Sequence, residues 1–192
     1  GNGGVGNALR EITDNDDLTL AGSSQQCYYY LNGNGGKGAD NANAAFRSAL
    51  KDGAVVELYV NDEDRDEVTS VVVLEYSLAK VKEISTRVTS SDREDGITSY
   101  ITLETVGGAS FGSRIDNVDF AGFNYDEGDV ILVAMKGSNV VLASELADSV
   151  TGEVTAIRGS DVRIDGVYYK DVQNTMSDIG DEGTFYLNKA GQ

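Results

Sequence analysis

Histidine, tryptophan and proline are absent from this 192-residue chain, and cysteine occurs once, as Cys27. Without histidine, the commonest general base and the commonest metal ligand are missing. A single cysteine cannot close an internal disulfide, so the chain is not a disulfide scaffold. A nucleophilic cysteine would also want a histidine or another cation beside it, so Cys27 reads as a half-buried strand residue. Without tryptophan, little is left to line sugar subsites. Average usage would supply roughly nine or ten prolines, and their absence has no physical account in the sequence. Positive charge is scarce as well: 15 bases stand against 32 acids, a net charge of −17. Such a surface repels phosphate backbones and anionic membranes, which argues against nucleic-acid partners. No apolar run approaches the roughly 18 residues of a spanning helix, and nothing resembles a signal peptide. Membrane insertion is therefore not expected, while Gly1 reads as a mature or excised terminus that says nothing about export.

The chain does contain short apolar pieces punctuated by Gly, Asp and Asn, the pattern of antiparallel β structure. With 40% hydrophobic residues it can bury a core. Val154-x-x-Ile157, Val162-x-Ile164-x-Gly166, Tyr168-Tyr169 and Phe185-Tyr186-Leu187-Asn188 follow one another between turns. Looser copies precede them: Leu9-x-x-Ile12, Leu18-x-Leu20-x-Gly22, Tyr28-Tyr29-Tyr30 and Leu58-Tyr59-Val60-Asn61, then Val81-x-x-Ile84, Ile101-x-Leu103 and Val140-Val141-Leu142. Val81 lies 72 residues after Leu9 and 73 before Val154. Equal spacing with the same internal order is the mark of a repeat. Five residues separate Gly53 from Leu58, Gly128 from Val133 and Gly180 from Phe185.

The expected fold class is all-β, a tandem of small antiparallel β-barrel or roll modules with one short helix. Module one is residues 1–79, with an extended N-terminal arm and a helix over 42–50 capped by Asn41. Module two is 80–147 and module three 148–192. In module one, Val71-Val72-Val73-Leu74 is too apolar for an exposed edge and should be covered or paired on both sides. Phe111, Phe120 and Phe123 should pin the long loop of module two. Module three stops after the turn Asn188-Lys189-Ala190-Gly191, without the final strand that Val68–Tyr76 gives module one. Its last strand, Thr184, Phe185, Tyr186, Leu187 and Asn188, is thus the candidate assembly edge.

Acids cluster at Asp14–Asp17, Asp62–Glu67, Asp92–Asp95, Asp126–Asp129 and Asp178–Glu182. Asp62-x-Asp64-x-Asp66 opens like an EF-hand loop, but Glu67 stands where glycine is needed and Val73 where the bidentate glutamate belongs. Solvated turns explain these clusters better than a metal site, and no metal ligand or cofactor is assigned. Weak calcium association between acidic subunits stays open. Carboxylates in charged turns keep ordinary acidity, so paired-acid glycosidase chemistry is not expected and no catalytic residue is assigned. Of the tyrosines in consecutive strand positions, at least one ring per run must face outward, for packing or an interface. Gly3-Gly4-Val5-Gly6 and the glycines of 32–38 lack the strand–loop–helix setting and Lys-Ser/Thr ending of a phosphate loop.

Residues 150–157 (VTGEVTAI), 162–169 (VRIDGVYY) and 183–188 (GTFYLN) carry a resemblance, as do Val60-Asn61 with 67–73 (EVTSVVV) and 128–133 (GDVILV). The chain resembles the repetitive β modules that accompany S-layer homology domains in surface-layer and cell-wall proteins of Gram-positive bacteria. That resemblance implies an exported, extracellular structural role at the cell surface, with no catalytic residues to transfer. The expected partner is the protein itself, or neighbouring modules of a longer chain. The alternative is a glycan-binding module that uses exposed tyrosines and acid-held calcium.

Overall fold

The structure is a computed structural model that describes residues 3–51, 53–88, 97–106, 110–116, 124–136, 139–171 and 178–192. Phe120, Phe123 and the Asp92–Asp95 cluster lie outside the described residues, and the side chain of Phe111 does too. The fold is all-β, with two α-helices among the described residues, and the chain divides into two compact units. The first is residues 1–75 with 134–137; the second is 76–133 with 138–192.

The first unit opens with a helix, α1 (Gly3–Thr13), where the sequence suggested an arm and a first strand at Leu9 and Ile12. The reason is spacing: Val5 and Leu9 lie one helical turn apart and both are buried, while Ile12 points to solvent. Arg10, in the last turn, donates from Nε to Leu18 O at 2.9 Å. The strands are β1 (Thr19–Leu20), β2 (Tyr28–Leu31), β3 (Asn34–Lys37), β4 (Val55–Val60) and β5 (Glu67–Leu74). The second helix, α2 (Ala44–Ala49), is shorter than the expected 42–50. Its N-cap is Asn43, not Asn41: Asn43 Oδ1 accepts the Phe46 N–H at 3.0 Å, satisfying an orphan donor of the first turn. Asn41 instead braces the preceding loop, donating to Lys37 O at 2.9 Å.

β5 is the spine of this unit. It pairs parallel with β1 and β2 along one side and antiparallel with β4 along the other. Pairing on both sides, with Val68, Val71 and Val73 fully buried, accounts for so apolar a run. Tyr29 sits at the centre, buried edge-on against Phe46 at 5.5 Å between centroids. β3 can lie beside β2 because residue 35 is glycine. A Cβ there would stand 1.8 Å from Tyr29 O, and its φ of +146° lies where side chains are rarely tolerated.

The second unit holds two antiparallel sheets. β6 (Tyr76–Val88), β7 (Ile97–Glu104), β8 (Ser110–Asp116), β9 (Val130–Lys136) and β10 (Asn139–Leu146) run in the order β10-β9-β6-β7-β8. β8 also approaches β10, so this sheet curls toward closure. β11 (Ser149–Arg158), β12 (Asp161–Ile164), β13 (Val167–Lys170) and β14 (Glu182–Tyr186) run β13-β12-β11-β14. Position by position, the second order is the first with its β10 member missing.

The repeat between these two sheets extends to single hydrogen bonds. β6 shifts register between Val81 and Glu83, and β11 shifts between Val154 and Ala156. Val81 N–H donates to Asp129 O at 2.7 Å and Gly128 N–H to Val81 O at 2.8 Å. Val154 N–H donates to Asp181 O and Gly180 N–H to Val154 O, both at 2.8 Å. The paired cores match too: Val81, Ile101 and Leu103 in one sheet, Val154, Val162 and Ile164 in the other, all buried.

Module one shares only the closing half of this plan. Its turn at Lys51–Ala54 closes by Ala54 N–H to Lys51 O at 3.2 Å, with Gly53 at φ +85°, before β4 and β5. Gly128 and Gly180 occupy the same third turn position at +97° and +101°, the positive φ that type II turns need there. The expected triplication is therefore a duplication of modules two and three plus half a copy. In place of the opening half, module one has α1 and the strands β1 and β2, each paired parallel with β5.

Candidate functional site

β14 is where the second unit ends its sheet, and its backbone defines the site. Leu187 N–H donates to Asp148 O and Val154 N–H to Asp181 O, both at 2.8 Å. Antiparallel pairing alternates, so odd-numbered residues of this stretch turn their peptide groups toward β11. Glu182, Thr184 and Tyr186 turn theirs outward, where no strand pairs with them among the described residues. Asn188, next in this outward series, is already occupied. Its N–H donates to Gln192 O at 2.9 Å and its carbonyl accepts the Gly191 N–H at 2.9 Å.

That turn is held in place by Asn188 itself. Its Oδ1 accepts from Ala190 N at 3.0 Å and Gln192 N at 2.9 Å, and Gly191 takes φ +73°. A three-residue loop ending in a left-handed glycine is a hairpin loop. The chain thus doubles back so that Gln192 faces Asn188 on the open edge. Lys189 reaches Glu145 in an ion pair beside it.

Side chains on β14 alternate. Phe185 packs with Val150, Ile157 and Tyr169 against the core of Val154, Val162 and Ile164. Thr184 lies on the opposite face, its hydroxyl 3.0 Å from that of Thr151. In the matching strand β9, Val130, Ile131, Leu132, Val133 and Ala134 are all buried, whereas no residue of β14 is fully buried. Of the expected edge residues, Thr184, Phe185 and Tyr186 lie in β14, while Leu187 and Asn188 follow it. The open groups, however, extend back to Glu182, and Asn188 acts as the clasp of a turn. Period-two alternation places Glu182 on the same side as Thr184 and Tyr186, but which side that is follows only from the register with β11.

The other candidates have structural partners. Asp129 Oδ2 accepts Asp126 N–H at 2.7 Å, and Asp181 Oδ2 accepts Asp178 N–H at 2.9 Å, so these acids cap the two repeated turns. Asp64 caps its own hairpin through Asp66 N–H at 3.0 Å. Among the described residues no group of three potential ligands converges on a metal site. Tyr28 and Tyr30 lie on the outer side of β2, stacked at 6.4 Å and 8°, with the Lys37 ammonium 5.9 Å from the Tyr28 centroid. The rings therefore face one another and a cation. On β13, Tyr168 is exposed and flanked by the Arg158 and Arg163 guanidiniums, while Tyr169 packs inward. No described helix is long and apolar enough to cross a membrane.

Cys27 is fully buried, where the sequence suggested half-burial. Burial pushes its thiol above its ordinary value of 9.0 and does the same to the neighbouring Tyr29 hydroxyl. Both groups are acids kept neutral by the fold. As pH rises past 9.0 the unfolded thiol ionises first, and stability falls. At pH 8 Cys27 should resist a thiol reagent in the native protein and react fully in denaturant. Stoichiometric labelling of the folded chain would contradict this placement.

No protein-family model, no curated protein and no solved structure matches the chain.

Proposed function

We propose that this is an extracellular structural protein, a subunit of a surface layer or filament whose subunits join through open β-strand edges. One observation carries the reading. β14 repeats β9 in its turn, its bulged partner and its place in the sheet, yet among the described residues no strand covers the side of β14 that β10 covers on β9. A strand edge left bare is a template for another strand, and natural proteins seldom leave one without a use. β4 adds a second edge in the other unit, since it pairs with β5 alone among the described residues. Two separate contacts are what a subunit needs to polymerise rather than close into a dimer. The resemblance to surface-layer modules and the acid-rich composition favour an exported scaffold.

The N-terminal segment is a helix of the first unit and offers no strand to that edge. Val5 and Leu9 are committed to the core of their own unit as part of α1.

Negative-stain images of the purified protein, with and without calcium, test the proposal. Sheets or filaments are the expected result, with calcium promoting them where acidic surfaces meet. Uniform single particles under both conditions would defeat it.

A further inference from the structure

We propose that the outer face of β12 and β13 binds the carboxylate of an acidic sugar, held by Arg158, Arg163 and Lys170 around Tyr168. This is a ligand site, and it stands apart from assembly through strand edges. Cross-strand register lays the face out in two rows. In one, Arg158 lies opposite Asp161 and Asp161 opposite Lys170; in the other, Arg163 lies opposite Tyr168. Val162, Ile164 and Tyr169 alternate with them and turn to the core. Three cations thus stand against one carboxylate, on a chain whose net charge is −17. At physiological salt, charges beyond roughly 8 Å are screened, so a ligand on this face meets the local cations rather than the acidic whole.

Tyr168 makes a fixed site of those cations. β13 pairs with β12 alone among the described residues, so both arginines reach Tyr168 from the same side of its strand. The Arg158 guanidinium lies 4.9 Å from the ring centroid and that of Arg163 5.8 Å. A guanidinium laid on an aromatic ring keeps its N–H fork available to an anion, and has already given up the freedom that binding would cost. Arg163 is further fixed by its Nε–H, which donates to Gly166 O at 3.2 Å. Among the described residues no carboxylate pairs with Arg163 or Lys170, and Arg158 approaches Asp161 only to 3.6 Å. Asp161 narrows the choice of ligand. Its carboxylate repels a dianion such as phosphate but can accept from a hydroxyl. A singly charged carboxylate on a hydroxylated body suits both halves of the face.

The sister sheet is an internal control. In its equivalent rows Ser85 lies opposite Tyr100 and Tyr100 opposite Asp116, while Thr102 lies opposite Arg114. One arginine and one aspartate balance there. The same strand plan therefore forms without the paired arginines and the lysine, so these charges answer to a ligand rather than to the sheet.

Titration calorimetry with trigalacturonate and with its methyl ester reads the carboxylate directly, because the ester keeps the sugar body and removes the charge. The acid should bind, and the ester about tenfold more weakly or worse, the scale of one charge-assisted contact. Arg163→Lys keeps the charge but loses the fork, and should weaken binding several-fold. Tyr168→Ala keeps every charge and should also weaken it, because the guanidiniums are no longer held. Arg65→Gln removes an exposed arginine of the first unit and should leave binding unchanged. A chelator should change nothing, which separates this site from a calcium-assisted one. Circular dichroism checks that each variant is folded. Failure of trigalacturonate to bind, equal binding of acid and ester, or unchanged binding by Tyr168→Ala overturns the site. Tighter binding of inorganic phosphate or of a tetraglutamate peptide overturns the assignment to acidic sugars.

Discussion

Replacing Tyr29 with alanine should cost the first unit about 4 kcal/mol, the scale for truncating a large buried aromatic. The ring is fully buried, lies edge-on to Phe46 at 5.5 Å, and its hydroxyl donates to Ser24 O at 3.3 Å. Removing it empties the space between β2 and α2 and takes away the hydroxyl's hydrogen bond to Ser24 O. Whole domains are stable by only about 5–15 kcal/mol, so one such loss leaves the unit close to unfolding. Tyr29→Phe keeps the packing and loses one hydrogen bond, about 1 kcal/mol. Tyr28→Ala, on the outer face of the same strand, should cost less than Tyr29→Ala. Denaturant unfolding followed by circular dichroism ranks the three variants. Equal losses for Tyr28→Ala and Tyr29→Ala would show that the alternation of β2 has been assigned to the wrong faces.

The alternation itself was legible. Three consecutive tyrosines in a strand must point in, out and in or the reverse, and burial selects Tyr29 as the inward one. The repeat of modules two and three was legible for a related reason. Val81, Ile84, Val154 and Ile157 sit where a bulge changes the strand's phase, which forces an apolar pair three apart instead of two. The same spacing misled at Leu9 and Ile12, because three apart is also a helical interval. Only Val5, one turn earlier on the same face, separates the two readings, and a glycine-rich setting masked it. The parallel pairing of β2 with β5 had no local signal, since it joins segments some forty residues apart through α2. Which peptide groups of β14 face away from β11 was not legible, because it depends on the register between the two strands.

Appending residues 140–146 (VVLASEL) after Gln192 should cap the edge and abolish association through β14, which stops polymers from growing. The turn at Asn188–Gln192 already points the chain back along β14. In β10, Asn139 and Val141 are exposed while Val140 and Leu142 are partly buried, a strand-like alternation. The first appended residue would face Leu187 and the third Phe185, placing valine and leucine on the core side of β14. Burying two such side chains is worth about 3 kcal/mol or more, less the cost of ordering the added segment. The extended chain should therefore unfold at higher denaturant concentration and sediment as smaller assemblies than the original under the same conditions. A control extension with serine at the valine and leucine positions should do neither. The comparison separates edge pairing from general stickiness, because the graft adds apolar residues and yet should reduce association. Increased aggregation of the grafted chain, with no gain in stability, would mean that β14 does not offer the edge that β9 offers to β10.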